Sequence, residues 1–140
     1  MNVDRFSSAC NSLETGFNIL ECVPIVGGFT SAVRTKLGAM QAVAGLVCMV
    51  VAGIGIFASN CLRDQEAKRK FEAVGRFGAE HTLHGALNMI RGATVVFISA
   101  CTSGIGNVVM LAPNMAKDEM FTPFFKYGEF TEKRRTVDYL

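Results

Sequence analysis

Three short stretches of this sequence contain residue types that can do chemistry. The first places Glu80, His81 and His84 within about one helical turn, so that a carboxylate and two imidazoles lie on adjoining faces. A zinc site needs three or four protein ligands in a fixed geometry, and no further ligand of suitable type lies near the two histidines in the sequence. We therefore predict interfacial histidines and no bound metal.

The second stretch, Gly53, Gly55 and Ala58 with Glu72 further on, matches a Gly-x-Gly-x-x-Ala dinucleotide pattern. That site requires a strand ending at the first glycine and a helix starting there, whereas here one apolar run continues through the motif. We interpret these small residues as helix-packing positions in a membrane. The predicted packing set is Gly45, Ala52 and Gly53 on one helix and Ala100, Gly104 and Gly106 on the other.

The third stretch, 99–103, contains Ser99, Cys101 and Ser103 but no histidine or acid that could activate a nucleophile. No catalytic constellation is present, so we predict a protein that is not an enzyme and uses no cofactor. The net charge is only +2, Trp is absent and Tyr occurs twice. This composition argues against nucleic acid as a partner.

The elements that carry these residues are dominated by two apolar runs, in a chain that is 50% hydrophobic and 19% charged. Residues 37–58 include one polar side chain, Gln41, and as a helix would cover about 33 Å, which matches the hydrocarbon core of a bilayer. Residues 92–112 form a second, weaker run with five polar side chains. We predict a transmembrane helix for each.

The remaining segments flank these two spans. Residues 1–36 are predicted to form an amphipathic N-terminal region with a helix over 7–23 and a flexible joint at Gly27 and Gly28. Residues 59–91 are predicted to be a polar helical loop, and residues 113–140 an aromatic and charged C-terminal tail. The predicted fold is all-α, a helical hairpin membrane protein with short amphipathic flanking helices.

Two groups of side chains are candidates for binding. Basic residues near the spans can reach lipid headgroups, and aromatic residues beyond the last span form an exposed surface for a protein partner. The headgroup set is Arg34, Lys36, Arg63, Lys68, Arg69 and Lys70, and the partner-binding set is Phe121, Phe124, Phe125, Tyr127 and Phe130.

The five cysteines are odd in number and widely spaced, and we interpret them as free thiols. Residues 1–10 carry Asp4 and Arg5 but no apolar stretch behind a basic start. We therefore expect no secretory signal peptide, and any insertion signal would be internal.

The sequence resembles the inclusion-membrane proteins of chlamydiae, which carry a bilobed pair of apolar helices with polar tails. The resemblance covers residues 20–112 and is carried by Glu21-Cys-Val-Pro-Ile-Val-Gly-Gly, Ala42-Val-Ala-Gly-Leu and His84-Gly-Ala-Leu-Asn-Met-Ile-Arg-Gly92. It implies secretion by the bacterium into a vacuolar membrane, where the protein recruits host proteins. That group joins its helices by a tight turn, whereas here we expect a connector of about 33 residues.

These observations predict a non-enzymatic integral membrane protein whose tails and loop bind a protein partner at a host–pathogen membrane. Two alternatives stay open. One is a self-assembling, holin-like pore lined by Ser99, Thr102, Ser103 and Asn107. The other is a soluble all-helical module whose apolar runs are buried in a homo-oligomer.

Overall fold

A computed structural model describes residues 3–116, 119–123 and 125–128, and this part of the chain is helical. Helix α1 is Val3–Leu20, α2 is Val26–Leu62 and α3 is Gln65–Cys101, followed by a 3₁₀ helix, Ile105–Met110, and a short α4, Leu111–Met115. Helices α2 and α3 each have 37 residues and pack along one another as an antiparallel hairpin. The predicted all-α class and the helical hairpin are confirmed.

The hairpin turn has only two residues, Arg63 and Asp64. Arg63 adopts the left-handed conformation, with φ of 56°, and its N–H bonds to the carbonyls that end α2. The carboxylate of Asp64 accepts a hydrogen bond from the N–H of Ala67 and caps the start of α3. The predicted 33-residue connector is therefore wrong: residues 65–91 are the first three quarters of α3, because this cap restarts the helix at once.

Small residues on α2 recur at intervals of seven along the contact with α3. Ser31, Gly38, Gly45, Ala52 and Ser59 are all buried there. They face glycines that follow the same interval on α3, Gly78, Gly85 and Gly92. A Cβ atom on Gly45 would lie 2.6 Å from the carbonyl oxygen of Gly78. The two backbones therefore touch, and the 3.5-residue repeat keeps them in contact along the hairpin.

This register differs from the predicted packing. Gly45 lies against Gly78 and Thr82, and Ala52 lies beside Gly75. Gly53 faces open space, because it is one residue beyond the contact stripe. The three predicted partners all lie near the far end of α3, where the antiparallel register does not bring them to residues 45–53. Ala100 is exposed, Gly104 sits in a bend beside Ile25, and Gly106 packs on Thr102.

The second predicted span, 92–112, is not one continuous helix. Helix α3 ends at Cys101, and Ser103 and Gly104 follow with positive φ values of 53° and 86°. The carbonyl of Gly104 accepts a hydrogen bond from the N–H of Ile25, which ties this bend to the start of α2. Glycine without a Cβ suits such a left-handed end, so the chain turns back into the 3₁₀ helix and α4.

Helix α2 also begins earlier than the sequence indicates, at Val26, so that Gly27 and Gly28 lie inside the helix instead of forming a joint. Both are needed for close approach. A side chain at Gly27 would meet the carbonyl oxygen of Glu21, and one at Gly28 would meet the hydroxyl of Ser99.

By length and composition, α2 and α3 are each long and apolar enough to cross a membrane. Their most apolar parts, however, do not lie side by side. Gly92 faces Ser31, so the run that starts at Gly92 lies beside residues that precede the apolar stretch 37–58. That stretch instead runs beside the charged first half of α3. The charged residues there are Glu66, Lys68, Arg69, Lys70, Glu72, Arg76 and Glu80.

The close approach of the helices gives a matched test with two glycine substitutions. In Gly85→Ala the new Cβ would lie 2.5 Å from the backbone nitrogen of Ala42, which cannot move aside, and we expect a loss of about 1–3 kcal/mol of stability. Gly53→Ala places the same methyl group in open space and should stabilise the helix by about 0.4–1 kcal/mol. Thermal unfolding followed by circular dichroism measures both, and equal effects would contradict the described register.

Candidate functional site

The distribution of side chains is inverted relative to a water-soluble domain. Among the described residues, thirteen polar or charged side chains are buried, but only three hydrophobic ones, Ala52, Val95 and Tyr127. Thirty-two large hydrophobic side chains are exposed. Small residues and polar groups inside, with apolar groups outside, are typical of helical membrane proteins.

The buried polar groups centre on Glu21, which lies between α1 and α2 and is fully buried. Its Oε1 accepts a hydrogen bond from Nη1 of Arg34 at 2.8 Å, and its Oε2 accepts one from Nε of Arg91, also at 2.8 Å. One carboxylate thus neutralises part of the charge of two arginines from two different helices. Because these charges are withdrawn from water, each depends on the others.

The two arginines extend the network to the remaining elements. Arg34 also donates to the side-chain oxygens of Asn18 on α1 and Asn88 on α3, at 2.9 and 2.8 Å. Arg91 donates to the side-chain oxygen of Asn114 on α4 at 3.2 Å. The predicted role of Arg34 in headgroup binding is therefore wrong, because its side chain is 4% exposed and its hydrogen bonds are made inside the bundle.

A second carboxylate, Glu14, organises the next layer. It accepts hydrogen bonds from Nδ2 of Asn88 at 2.8 Å and from the hydroxyl of Tyr127 at 2.9 Å, while Nδ1 of His84 lies 3.6 Å away. Burial works to raise the pKa of Glu14, but His84 and the hydrogen bonds from Asn88 and Tyr127 outweigh it and lower that pKa. Glu14 is therefore held as a carboxylate.

Tyr127 joins the C-terminal segment to this layer. Its hydroxyl accepts a hydrogen bond from Nε2 of Gln41 at 2.6 Å, and its ring stacks on His84 with centroids 3.8 Å apart. Burial and the charge of Glu14 raise the pKa of Tyr127, so its hydroxyl stays protonated and can donate.

The aromatic tail is therefore not a fully exposed surface. Tyr127 is buried in the chain's own bundle, and Phe121 is half-buried, with its carbonyl oxygen bound by the side chain of Asn18. Phe125 is exposed. Phe124 and Phe130 lie outside the described residues. The prediction of an exposed tail did not consider that the hydroxyl of Tyr127 can donate a hydrogen bond to the buried carboxylate of Glu14 on α1.

The predicted basic residues other than Arg34 lie near the surface. Lys36, Arg63 and Arg69 are exposed and Lys68 is half-buried. Lys70 forms an exposed ion pair with Glu66 at 2.6 Å, one turn away on α3. These side chains can reach solvent or headgroups.

The two histidines are not interfacial, because both are buried. His81 packs near the rings of Phe6 and Phe77, and its Nδ1 lies 3.0 Å from the side-chain nitrogen of Gln41. The carboxylate of Glu80 accepts a hydrogen bond from the N–H of Gly128. In the part of the chain that the structure describes, no three His, Cys, Asp or Glu side chains cluster as metal ligands would.

The thiol of Cys10 lies beside Glu14 in this network. Burial and the neighbouring Glu14 raise its pKa, so the thiol remains protonated and is a poor nucleophile. The chemistry of this site is therefore hydrogen bonding and charge neutralisation.

The proposed pore-lining residues do not share one face. Asn107 is fully buried, and both atoms of its amide lack a hydrogen-bond partner. Ser99 is half-buried beside Gly28, whereas Thr102 and Ser103 are exposed in the bend after α3. These positions point in different directions because the helix ends at Cys101.

The open end of the hairpin, residues 20–33 and 92–116, has no exposed charged side chain. Its only charged residue is Glu21, which is fully buried and paired with the buried Arg34 and the partly exposed Arg91. Eleven large hydrophobic side chains are exposed there: Leu20, Val23, Ile25, Val26, Phe29, Val33, Phe97, Ile105, Val108, Val109 and Met115.

Sequence reasoning missed the network, although a signal was present. On α1 and the residue after it, Asn11, Glu14, Asn18 and Glu21 are spaced by three, four and three residues, and on α3 His81, His84, Asn88 and Arg91 repeat that spacing. Two polar stripes with one period indicate helices that pack through polar faces.

Comparisons of the chain with protein families, with curated proteins and with solved structures find no match. The architecture is that of a helical hairpin with polar side chains inside and large apolar side chains outside.

The buried carboxylate gives a first test of the site. Glu21→Gln removes the charge that Arg34 and Arg91 share, and breaking such a buried pair should cost about 3–5 kcal/mol of stability. Lys70→Met removes one partner of the exposed pair with Glu66 and should change stability by less than about 0.5 kcal/mol. Thermal unfolding in detergent compares them, and similar losses would show that Glu21 is not a structural centre.

The lowered pKa of Glu14 gives a pH-dependent test. A carboxyl whose native pKa lies below its ordinary value of 4.5 contributes stability above that value and loses it as pH falls through the native pKa. The stability advantage of the native chain over Glu14→Gln should therefore be full near pH 7 and shrink below pH 4.5. Glu66→Gln, at an exposed position, should show no comparable trend. A constant difference between the native chain and Glu14→Gln would contradict the assignment.

Proposed function

We propose that this chain is a non-enzymatic membrane protein that embeds the open end of its bundle in a lipid bilayer and presents the rest of the hairpin for protein–protein interaction. The observation that carries this proposal is the open end itself. Eleven of its exposed side chains are large and apolar, none is charged, and the ionisable groups at its level are paired with one another.

The energetics favour lipid around this end. Covering a side chain the size of Phe29 or Ile105 contributes roughly 1.5–3 kcal/mol, and eleven such side chains are exposed together. Lipid offers no hydrogen bonds, so charged groups within the embedded depth must satisfy one another. Glu21, Arg34 and Arg91 meet that requirement. Lys36, just above this zone, is exposed and can reach headgroups.

At the other end of the hairpin, the side formed by α3 is suited to contact with water. We define the tip as residues 46–62 of α2 and 65–77 of α3. Its α2 part would be about 25 Å long and would begin about 20 Å from the embedded end. Exposed charged residues on α3, including Arg69 and Arg76, favour an aqueous position for this part. The tip and the exposed Phe125 are then the surfaces offered to a partner.

The resemblance to chlamydial inclusion-membrane proteins adds a location to the proposal, a vacuolar membrane facing a host cytosol. The tight turn at Arg63 and Asp64 supports it, because that group joins its two helices in the same way.

A second candidate function is a soluble homo-oligomeric module. It is favoured by the register of the hairpin, which places the apolar stretch 37–58 beside the charged half of α3. A bilayer around that stretch would also enclose those charges.

Arginine substitutions test which surface meets lipid. Phe97→Arg and Val109→Arg place a charge in the open end, at a cost of about 2.5–3.5 kcal/mol if the position is deep in lipid, so at least a tenfold fall in the membrane-bound fraction is expected. Val51→Arg, at an exposed position in the tip, should leave that fraction unchanged. The measurement is retention in vesicles through an alkaline carbonate wash.

The alternatives give different results in the same experiment. Loss with Val51→Arg but not with Phe97→Arg would mean that α2 crosses the bilayer over 37–58, as the sequence alone predicts. Release of the unsubstituted chain into the wash would support the soluble module and would overturn the membrane proposal.

A further inference from the structure

Helix α2 carries a second stripe of apolar side chains on the side opposite α3, and this stripe runs from Met40 into the tip. Its members are large and are separated by three and four residues in turn, which is the spacing of a coiled-coil seam. They are Met40, Val43, Val47, Val50, Ile54 and Phe57, and each is 58–72% exposed. We call this stripe the outer seam.

The outer seam lies diametrically opposite the contact with α3. Its positions are each two residues, or about 200°, beyond a residue on the side facing α3: the buried Gly38, Gly45, Ala52 and Gly55 and the half-buried Gln41 and Cys48. Helix α2 therefore has two heptad faces, one of small residues that α3 fills and one of large residues without a partner in the described chain.

The sizes of the neighbouring residues point to a helix as the occupant. Between residues 39 and 58, four of the six positions that flank the outer seam are Ala39, Ala44, Gly53 and Ala58. Large residues along a seam with small residues beside it let two helices approach closely. Fluid lipid tails require no such ordering by size.

The charges on α3 argue that this occupant is protein and not lipid. Four charged residues of the tip are exposed on α3, which lies on the side of α2 away from the outer seam. They are Glu66, Arg69, Lys70 and Arg76. A bilayer covering the outer seam would draw these charges toward hydrocarbon. A protein helix against the seam leaves them in water.

The area is close to what a stable contact requires. The six side chains expose roughly 700 Å² together, near the ~800 Å² per partner that specific interfaces bury. The seam is apolar and uncharged throughout, so it is complementary to itself.

From these observations we infer that the chain forms a homodimer in which the outer seams of two copies pack against each other. The arrangement rests on the proposed function: with both open ends in one membrane, the two α2 helices run parallel. Each seam residue then meets its own counterpart across a two-fold axis. Cys61 occupies the next seam position after Phe57 and is exposed, so the two Cys61 thiols lie across the same axis.

Disulfide cross-linking tests the dimer in vesicles, because only Cα atoms about 4.4–6.8 Å apart can be bridged. The background is a chain whose five native cysteines are replaced by alanine. Val50→Cys places a thiol in the seam, and Val74→Cys places one at an exposed position on α3. Val51→Cys flanks the seam. After mild oxidation, we expect at least fivefold more cross-linked dimer with Val50→Cys than with either control.

Restoring only Cys61 in that background should also give the cross-linked dimer. Equal yields from Val50→Cys and Val74→Cys would overturn the inference, because they would indicate random collision. Cross-linking of Val43→Cys with Phe57→Cys, but of neither position with its own counterpart, would overturn the parallel arrangement.

The carbonate wash separates this inference from the proposed function. A chain that stays in the membrane but does not cross-link at Val50 keeps the membrane role and loses the dimer. A chain that is released from the membrane yet cross-links at Val50 keeps the dimer and loses the membrane role. Circular dichroism of each variant checks that the helices are intact, which is expected because these side chains are exposed.

Discussion

The structure depends on the contact of two helix backbones at glycine. Where Gly38, Gly45, Gly78 and Gly85 meet, main-chain atoms of α2 and α3 pack directly against each other and gain dispersion energy. Such a contact leaves little room there for large hydrophobic residues, and the Phe71 ring fits nearer the turn only because Gly55 lies opposite it. Most large apolar side chains of α2 and α3 therefore lie on the outside of the hairpin. The glycine contacts between the helices thus account for the inverted distribution of side chains.

A contact made only of small groups does not by itself fix where a third element binds. That specificity comes from the polar layer around Glu14 and Glu21, which joins α1, α2, α3, α4 and the segment at Tyr127 by directed hydrogen bonds. Buried charges tolerate few alternative arrangements, because any shift leaves one of them without a partner. The glycine contacts thus bring α2 and α3 close together, and the hydrogen bonds of the polar layer fix where the other elements bind.

The all-α class and the hairpin were predictable because their signals are local: helical periodicity, two apolar runs and turn residues. The register was not, since it is a long-range property decided by which small residues meet. Residues 59–91 are predicted as a polar helical loop between two spans because they are polar, whereas in the structure the polar side chains of 81–91 bond to residues of α1 and the loop after it. Tyr127 was assigned to an exposed surface because its partner, Glu14, lies more than a hundred residues away in the chain. The seven-residue interval of small residues was visible in the sequence, and counting it would have indicated the register.

The charge centre at the open end also constrains how the protein is made. Glu21 and Arg34 are 13 residues apart and can pair once the start of α2 has formed, whereas Arg91 is 70 residues from Glu21 and reaches it only when α3 has folded back along α2. A ribosome has released most of the chain before Arg91 can reach Glu21. If the open end is embedded in lipid, as we propose, Arg91 is the one charge of this centre that depends on a partner made much earlier. The last step in assembling the open end is therefore the arrival of Arg91 at the Glu21–Arg34 pair.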